Sequence, residues 1–137
     1  MTAIGSEFKR EHSLEDRKTA SARMIAEYPN GIPIIVERAM TNIAKLSERQ
    51  YMVLGALTMS QVAHDVVRRD LSENITPEQS LFLFVNDLIP PTTSLISQLY
   101  EEHRDEDGFL YIAYSKKNSL GANKNDEQRT ALSPINV

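Results

Sequence analysis

The sequence LISQLYEEHRDEDGFLYIAYS, residues 95–115, contains a helix, a turn and a strand in direct succession. Leu95 with Leu99, and Ile96 with Tyr100, stand at i and i+4, the spacing of one helix face. We expect the hydroxyl of Thr92 or Thr93 to cap this helix. Asp107-Gly108 then favours a turn, and two apolar sets alternate from Phe109 to Tyr114 as in a strand.

Three further strands are predicted upstream. The sequence IPIIVER, residues 32–38, is apolar on both faces at its centre, which indicates a central buried strand. Tyr51–Leu54 and Leu81–Val85 give two more, and a capping box of Thr58 and Gln61 opens a helix between them. Two strands, a helix and two strands joined by a helical crossover predict an α+β fold. We expect a ubiquitin-like β-grasp, with a four-stranded mixed sheet and two central helices.

Two additional helices are predicted ahead of the sheet. Ser13 followed by Asp16 resembles a helix start, and this helix should run to about Glu27, before a proline. A shorter turn, Glu7 to Glu11, precedes it. The few apolar positions of the longer helix are interleaved with charged residues such as Arg17, so we expect that helix to lie on the domain surface.

Composition excludes several classes of protein. The length of 137 residues fits one domain, and 41% hydrophobic with 25% charged residues is ordinary for a soluble globular protein. The net charge of −4, without a basic stripe, gives no nucleic-acid footprint. The absence of cysteine excludes disulfides, thiol nucleophiles and cysteine metal ligands, and fits the cytosol. No apolar run is long enough for a membrane-spanning helix.

The chain carries no enzyme signature. There is no glycine-rich phosphate loop or nucleophile elbow, and the three histidines are scattered. A small hydrolase is therefore a rival without a motif, and we expect no catalytic residue, metal or cofactor. The acidic turn 105–108 fails as a calcium loop, because His103 and Tyr114 would occupy positions that need carboxylates. We expect this turn to be solvated.

Two apolar segments leave alternatives open. Phe82 and Phe84 share one face of their strand, which is either core or an exposed docking patch. Tyr51-Met52-Val53 either packs into the core or forms an edge strand that accepts an extended peptide.

Several segments together resemble the autophagy ubiquitin-like modifiers, the family of light chain 3 and the GABA-receptor-associated protein. The matching region runs from Phe8 to Gly121 and contains FKREH, YPNGIPIIVER, QYMVLGALTMSQ, LFLFVND and LIPPTTSLISQLYEEHRDEDGFLYIAYS. The last of these runs is highly specific to the family.

The resemblance implies a modifier without catalytic groups of its own. In the family a cysteine processing protease cuts after the glycine that matches Gly121. A ubiquitin-activating-like enzyme and a conjugating-like enzyme then transfer it to phosphatidylethanolamine, so the protein is expected in the cytoplasm and, once lipidated, on the autophagosome membrane. The implied layout is an N-terminal helical extension packed on the core (1–31), the β-grasp core (32–115), a flexible arm (116–121) and a disordered tail removed by proteolysis (122–137).

The resemblance also implies a groove that binds aromatic-x-x-aliphatic motifs of cargo receptors. The peptide backbone would pair with the strand Gln50–Met52, and Arg69 would pair with an acidic group of the motif. The aromatic pocket set is Ala20, Met24, Pro33, Ile35, Met52 and Phe109. The aliphatic pocket set is Tyr51, Val53, Leu54, Leu57, Val62 and Val66.

The protease would dock on Phe82 and Phe84 and would accept Leu120 next to the cleaved bond. Leu120 stands where the family has an aromatic residue, and the tail is long for the family. The alternative is therefore a β-grasp adaptor that uses the same peptide groove but is never lipidated. Glu48 and Gln50 replace basic family residues, which predicts that acidic residues flanking a motif help binding less.

Overall fold

The elements of the fold follow the predicted order. The computed structural model describes residues 5–72, 75–76 and 80–116. The elements are α1 (Glu7–Glu11), α2 (Leu14–Glu27), β1 (Gly31–Arg38), β2 (Gln50–Leu54), α3 (Met59–Val62, continued by a π-helical turn, Ala63–Arg68), β3 (Leu81–Phe84), α4 (Ile96–His103) and β4 (Leu110–Lys116). Gly121 and Leu120, together with the tail, lie outside the described residues.

The four strands form one mixed sheet in the order β2-β1-β4-β3. β1 is antiparallel to β2 and parallel to β4, while β3 is antiparallel to β4. The predicted mixed β-grasp sheet is therefore confirmed. The prediction that β1 is central and buried on both faces is also confirmed, because Ile34, Ile35 and Val36 are all 0% exposed.

Each face of the sheet carries its own apolar cluster. The larger cluster lies beneath α3 and α4 and includes Ile34, Met59 and Tyr114. The smaller cluster lies beneath α1 and α2 and consists of Phe8, Ile35 and Phe109, with partly buried residues packed around it. This division follows from strand geometry, since neighbouring residues of β1 and β4 point to opposite faces.

Helix capping matches the sequence in two of three places. The Ser13 hydroxyl accepts from Asp16 N at 3.1 Å, and Thr58 and Gln61 form the predicted capping box. The predicted threonine cap of α4 is wrong, because Leu95 occupies the cap position and no side chain bonds there. Instead the first N–H groups of α4 donate to the carbonyl oxygens of residues 55 and 57, at 3.0 and 2.9 Å. The connection from β2 to α3 thus satisfies donors that a cap would otherwise have to satisfy.

The acidic turn before β4 is solvated only in part: Glu106 is exposed, but the prediction is wrong at Asp107, which is 1% exposed. Asp107 Oδ2 accepts from Arg17 Nε at 3.0 Å and from the Tyr111 hydroxyl. Its Oδ1 accepts from Phe109 N at 2.9 Å, and its carbonyl oxygen accepts from Ser21 Oγ at 2.6 Å. Because Arg17 supplies a buried charge partner, the free-energy cost of burying the carboxylate is compensated.

We call Arg17, Ser21, Asp107 and Gly108 the Asp107 anchor. They join α2 to the start of β4, where the smaller cluster is covered. The expectation that α2 lies on the domain surface holds for most of the helix, but its inward face is attached by a buried ion pair rather than by apolar contacts alone.

The described residues give no sign of a metal site or a membrane span. Within ranges 5–72, 75–76 and 80–116, no group of three or more His, Cys, Asp or Glu side chains could hold a metal ion. In the same ranges no helix is long and apolar enough to cross a bilayer.

Candidate peptide-binding groove

The backbone of β2 offers hydrogen-bonding groups at the edge of the sheet. In an antiparallel pair, opposite residues alternate between hydrogen-bonded and non-bonded pairs. Val36 N donates to Arg49 O at 2.9 Å, and the register continues this pairing to Tyr51. The N–H and C=O groups of Gln50 and Met52, which fall between, therefore point away from β1. Of the two alternatives for this segment, the structure supports an edge strand open to an extended peptide.

The six residues of the aromatic pocket set lie on the α2 side of the sheet. Gln50 Nε2 lies 3.8 Å from Met24 Sδ, which places this face of β2 against the helix. Met52 lies opposite Pro33 in the register and packs over Gly31, where an added Cβ would come within 2.6 Å of its Cγ and Sδ atoms. Four of the six, Ala20, Met24, Ile35 and Phe109, belong to the smaller cluster or pack against it, and strand alternation puts Pro33 and Met52 on the same face of the sheet.

The aromatic set divides into a floor and walls. The buried floor consists of Pro33, Ile35 and Phe109. The half-buried walls are Ala20 and Met24 from α2 and Met52 from β2. Ala20 and Met24 stand at i and i+4 and pack against the smaller cluster, so one helix face forms one wall. This arrangement suits an aromatic ring, whose burial removes about 150–250 Å² of surface from water.

Five residues of the aliphatic pocket set lie on the other side of the sheet. Tyr51, Val53, Leu57 and Val66 are partly buried and pack against the larger cluster, and Val62 is 0% exposed beneath them. Burial is the main cause that raises the pKa of Tyr51 to about 12, with Asp70 and Glu48 adding to it. The Tyr51 hydroxyl donates to Glu48 O at 3.0 Å. These residues form a partly open apolar surface between β2 and α3.

Leu54 is separate from the rest of that set. It is 62% exposed and does not pack against the larger cluster with the other five. Strand alternation puts it on the face of Met52 rather than that of Val53. The structure therefore places Leu54 at the outer end of β2, outside the pocket that the other residues form.

The helix beside the aliphatic residues contains a π-helical turn that the sequence did not reveal. The predicted helix is regular only to Val62, and Arg69 N then donates to His64 O, an i to i−5 bond. The wider turn lets Val66 contact the groove side while Val67 is fully buried. Arg69, the predicted partner of an acidic motif group, is exposed.

The charges at the start of β2 are already paired. Arg49 lies 2.5 Å from Glu11, and its guanidinium stands over the Phe8 ring at 5.1 Å. This hydrogen bond from Arg49 is the largest cause that holds the pKa of Glu11 below its usual range. Lys45 pairs with Glu7 at 3.1 Å. A motif with acidic flanks would meet bases that already have acidic partners; that such flanks help binding less stays a prediction.

The predicted protease-docking residues lie at the opposite edge of the sheet. Phe82 and Phe84 face away from the larger cluster, opposite Ser115 and Ala113 of β4. Phe82 is 7% exposed, whereas Phe84 is half-buried. Phe82 is therefore a core residue, as the first alternative has it, whereas Phe84 is exposed enough to belong to a docking patch. Leu120 falls outside the described residues.

A second polar contact joins α1 to the acidic turn and should respond to pH. Lys9 Nζ lies 2.5 Å from Asp105 Oδ1 and 4.6 Å from the centre of the Tyr111 ring. Partial burial by itself would raise the pKa of Asp105, but hydrogen bonds from Lys9 and from Asp107 N hold it below 3.8. A lowered pKa in the folded state means that the contribution is present above 3.8 and is lost as the pH falls through the folded-state value.

We expect the stability difference between the protein and its Asp105→Asn variant to shrink as the pH falls from about 6 to about 3. Urea unfolding at several pH values measures this difference. Glu106→Gln, an exposed change in the same turn, is the matched control and should follow the parent protein throughout. Parallel curves for the parent and Asp105→Asn would show that the ion pair contributes nothing.

Comparison with known proteins agrees with this fold. A sequence profile described as "Autophagy protein Atg8 ubiquitin like" matches residues 16–121. Autophagy-related protein 8d of Arabidopsis thaliana is 44% identical over 117 residues, which cover 85% of this chain and 95% of that protein. Autophagy-related protein 8 of Schizosaccharomyces pombe is 42% identical over 117 residues, covering 85% and 94% of the two chains.

Solved structures agree as well. The crystal structure of Trypanosoma brucei ATG8 superposes with a TM-score of 0.77 at 30% identity, covering 83% of this chain and 97% of that one. Plasmodium falciparum Atg8, solved in complex with a Plasmodium falciparum Atg3 peptide, gives a TM-score of 0.69 at 29% identity, covering 80% and 95%. The shared fold, the profile match and the relatives together show that this chain belongs to the Atg8 family of autophagy ubiquitin-like proteins.

Proposed function

We propose that this protein is a ubiquitin-like modifier of autophagy that is cleaved after Gly121 and joined to phosphatidylethanolamine. The observation that carries this proposal is that the family match ends at Gly121, so residues 122–137 lie outside it. Glycine suits the role because it lacks a Cβ, so an arm that ends in glycine enters narrow active sites in conformations closed to other residues. The two acyl chains of the lipid then give stable membrane attachment.

The enzymes of this pathway are the proposed partners. The complex of Plasmodium falciparum Atg8 with an Atg3 peptide supports an equivalent conjugating-like enzyme for this chain. We add a cysteine processing protease and a ubiquitin-activating-like enzyme, because cleavage and activation must precede transfer. In this scheme the protein supplies the glycine carboxylate and no catalytic group. It is expected in the cytoplasm before conjugation and on autophagosome membranes afterwards.

Receptor binding is the second part of the proposal. An extended aromatic-x-x-aliphatic peptide would add a strand to the outward side of β2, with its two side chains on opposite sides of that strand. The aromatic one would enter between α2 and β2, and the aliphatic one would pack between β2 and α3. Burial of one aromatic ring gives at most roughly 4–6 kcal/mol, so micromolar affinity is expected after the costs of ordering the peptide.

Met52 allows the backbone and side-chain contributions to be separated. Met52→Pro removes an outward N–H without removing a bond to β1, which edge strands tolerate. Met52→Ala removes the same pocket wall but keeps the N–H. We expect the alanine variant to bind a motif peptide several-fold more weakly and the proline variant at least roughly tenfold more weakly than the alanine variant.

Isothermal titration of one motif peptide against both variants measures this difference, and circular dichroism verifies the fold. Equal affinities of the two folded variants would mean that the peptide does not add a strand to β2. The non-lipidated adaptor keeps the same groove, so this titration does not distinguish it from the modifier; the processing of Gly121 does.

A further inference from the structure

We propose that the Asp107 anchor determines which aromatic side chain the aromatic pocket accepts, by setting the distance between α2 and the pocket floor. The inference rests on the proposed peptide binding and deepens it. It assigns a positioning role to residues that do not line the groove. The anchor and the pocket share one helix face and one turn.

On the helix side, anchor and pocket residues alternate. Arg17 and Ser21 belong to the anchor, and Ala20 and Met24 form a pocket wall. All four share one face of α2, because positions 17, 20, 21 and 24 follow the i, i+3, i+4, i+7 spacing. A helix is stiff over this length, so any shift of the anchor end moves the pocket wall with it.

On the sheet side, the same turn holds the pocket floor. Asp107 Oδ1 accepts from the backbone N–H of Phe109 at 2.9 Å, and Phe109 is a fully buried part of the floor. The other oxygen accepts from Arg17 Nε at 3.0 Å. One carboxylate therefore bonds the floor with one oxygen and the wall-bearing helix with the other. This geometry fixes the separation of wall and floor through two hydrogen bonds to one carboxylate.

The helix and the turn are in close contact where Ser21 of α2 meets Gly108. Gly108 has a φ of +93°, and a Cβ at this position would lie 2.4 Å from Ser21 Oγ and 3.1 Å from Ser21 Cβ. The Ser21 hydroxyl meanwhile donates to Asp107 O at 2.6 Å. Glycine at 108 is thus required for α2 to approach this closely. A larger residue would push the helix away from the floor.

The aliphatic pocket has no such dependence. Its residues belong to β2, α3 and the segment between them, and they pack on the larger cluster across the sheet from the anchor. A change in the anchor should therefore alter selection at the aromatic position and leave selection at the aliphatic position unchanged. This difference separates a positioning role from a general effect on stability.

Two variants test the inference on the full-length protein. Gly108→Ala pushes α2 outward, and Ser21→Ala removes the hydroxyl that ties α2 to the turn without adding bulk. Glu106→Ala, in the same turn but exposed, is the matched control. The probes are synthetic motif peptides that differ only in tryptophan against phenylalanine at the aromatic position, or in leucine against valine at the aliphatic position.

We expect both anchor variants to change the tryptophan-to-phenylalanine affinity ratio roughly threefold or more, with Gly108→Ala shifting it toward tryptophan because α2 moves outward. The leucine-to-valine ratio should stay within about twofold of the parent protein, and the control should match the parent in both. If Gly108→Ala does not fold, Ser21→Ala decides the matter.

An unchanged aromatic ratio, or an equal loss for every peptide, overturns the inference while the parent protein still binds. Failure of the parent protein to bind any of the peptides would instead refute the proposed receptor-binding function, and the inference with it.

Discussion

Replacing Asp107 by alanine is expected to lower the free energy of unfolding by about 3–5 kcal/mol. The change leaves the guanidinium of Arg17, whose side chain is only 10% exposed, without its charge partner. It also removes the acceptor of the Tyr111 hydroxyl and of Phe109 N. Burial, and after it the hydrogen bond to Asp107, raises the pKa of Tyr111. The Tyr111 hydroxyl is therefore a protonated donor, and the substitution takes away its acceptor.

A loss of this size is a large part of the 5–15 kcal/mol that a typical domain has. Urea unfolding followed by circular dichroism measures it. Glu106→Ala, the exposed neighbour, is the control and should change stability by less than about 0.5 kcal/mol. The double variant Arg17→Leu with Asp107→Leu should recover much of the loss, because no unpaired charge remains. A loss below about 1 kcal/mol for Asp107→Ala would mean that the ion pair does not hold α2 in place.

Replacing Gly121 by alanine is expected to abolish conjugation and to leave the tail 122–137 attached. The reason is steric, since an added Cβ takes up space in the narrow active sites of the protease and the activating enzyme and closes the positive-φ conformations that glycine can adopt there. Intact-mass measurement after incubation with the cognate processing protease detects the loss of the tail. Ala122→Gly, on the other side of the proposed cleaved bond, is the matched control and should be cut like the parent protein.

Leu120 provides a graded comparison for the same assay. Leu120 stands where the family has an aromatic residue. We therefore expect the protease to cut the parent protein after Gly121, but more slowly than it cuts the Leu120→Phe variant. Cleavage of Gly121→Ala at the parent rate would mean that Gly121 is not the processed residue. No cleavage of the parent protein would favour the adaptor that keeps its tail.

The order of helices and strands could be predicted from the sequence because local signals carry it. Ser13 caps α2 and Thr58 with Gln61 opens α3 as their spacing indicates. The doubly apolar centre of residues 32–38 identified the central strand. These features depend on residues near each other in the chain, whose preferences survive in almost any tertiary context.

The features that the sequence concealed depend on distant partners. Asp107 looks solvated until Arg17, ninety residues away in sequence, is brought against it. Leu95 replaces a threonine at the cap of α4 because backbone carbonyls from the β2–α3 connection satisfy the first N–H groups. The π-helical turn at 63–68 fits neighbouring valines to the larger cluster and has no local signal of its own.

The groove likewise combines features that the sequence could predict with features that depend on distant partners. The aromatic and aliphatic sets came from a family resemblance. The structure packs five residues of the aliphatic set on the larger cluster and four of the aromatic set on the smaller one, with Pro33 and Met52 opposite each other in the β1–β2 register and Leu54 apart. Strand alternation alone could have indicated Leu54, since it shares its parity with Met52. The Asp107 anchor behind the aromatic pocket could not have been found in this way, because Arg17 and Ser21 are more than eighty residues away in sequence from the turn that they contact.

We have proposed that Gly121 becomes the C-terminal residue of this chain and is linked there to a lipid. The most direct test is to isolate the protein from its own cells, with and without induction of autophagy, and to measure the mass of its C-terminal peptide. We expect a peptide that ends at Gly121 and that, in the membrane fraction, carries phosphatidylethanolamine on that glycine. Recovery of the chain only with residues 122–137 intact and without lipid, under both conditions, would contradict it.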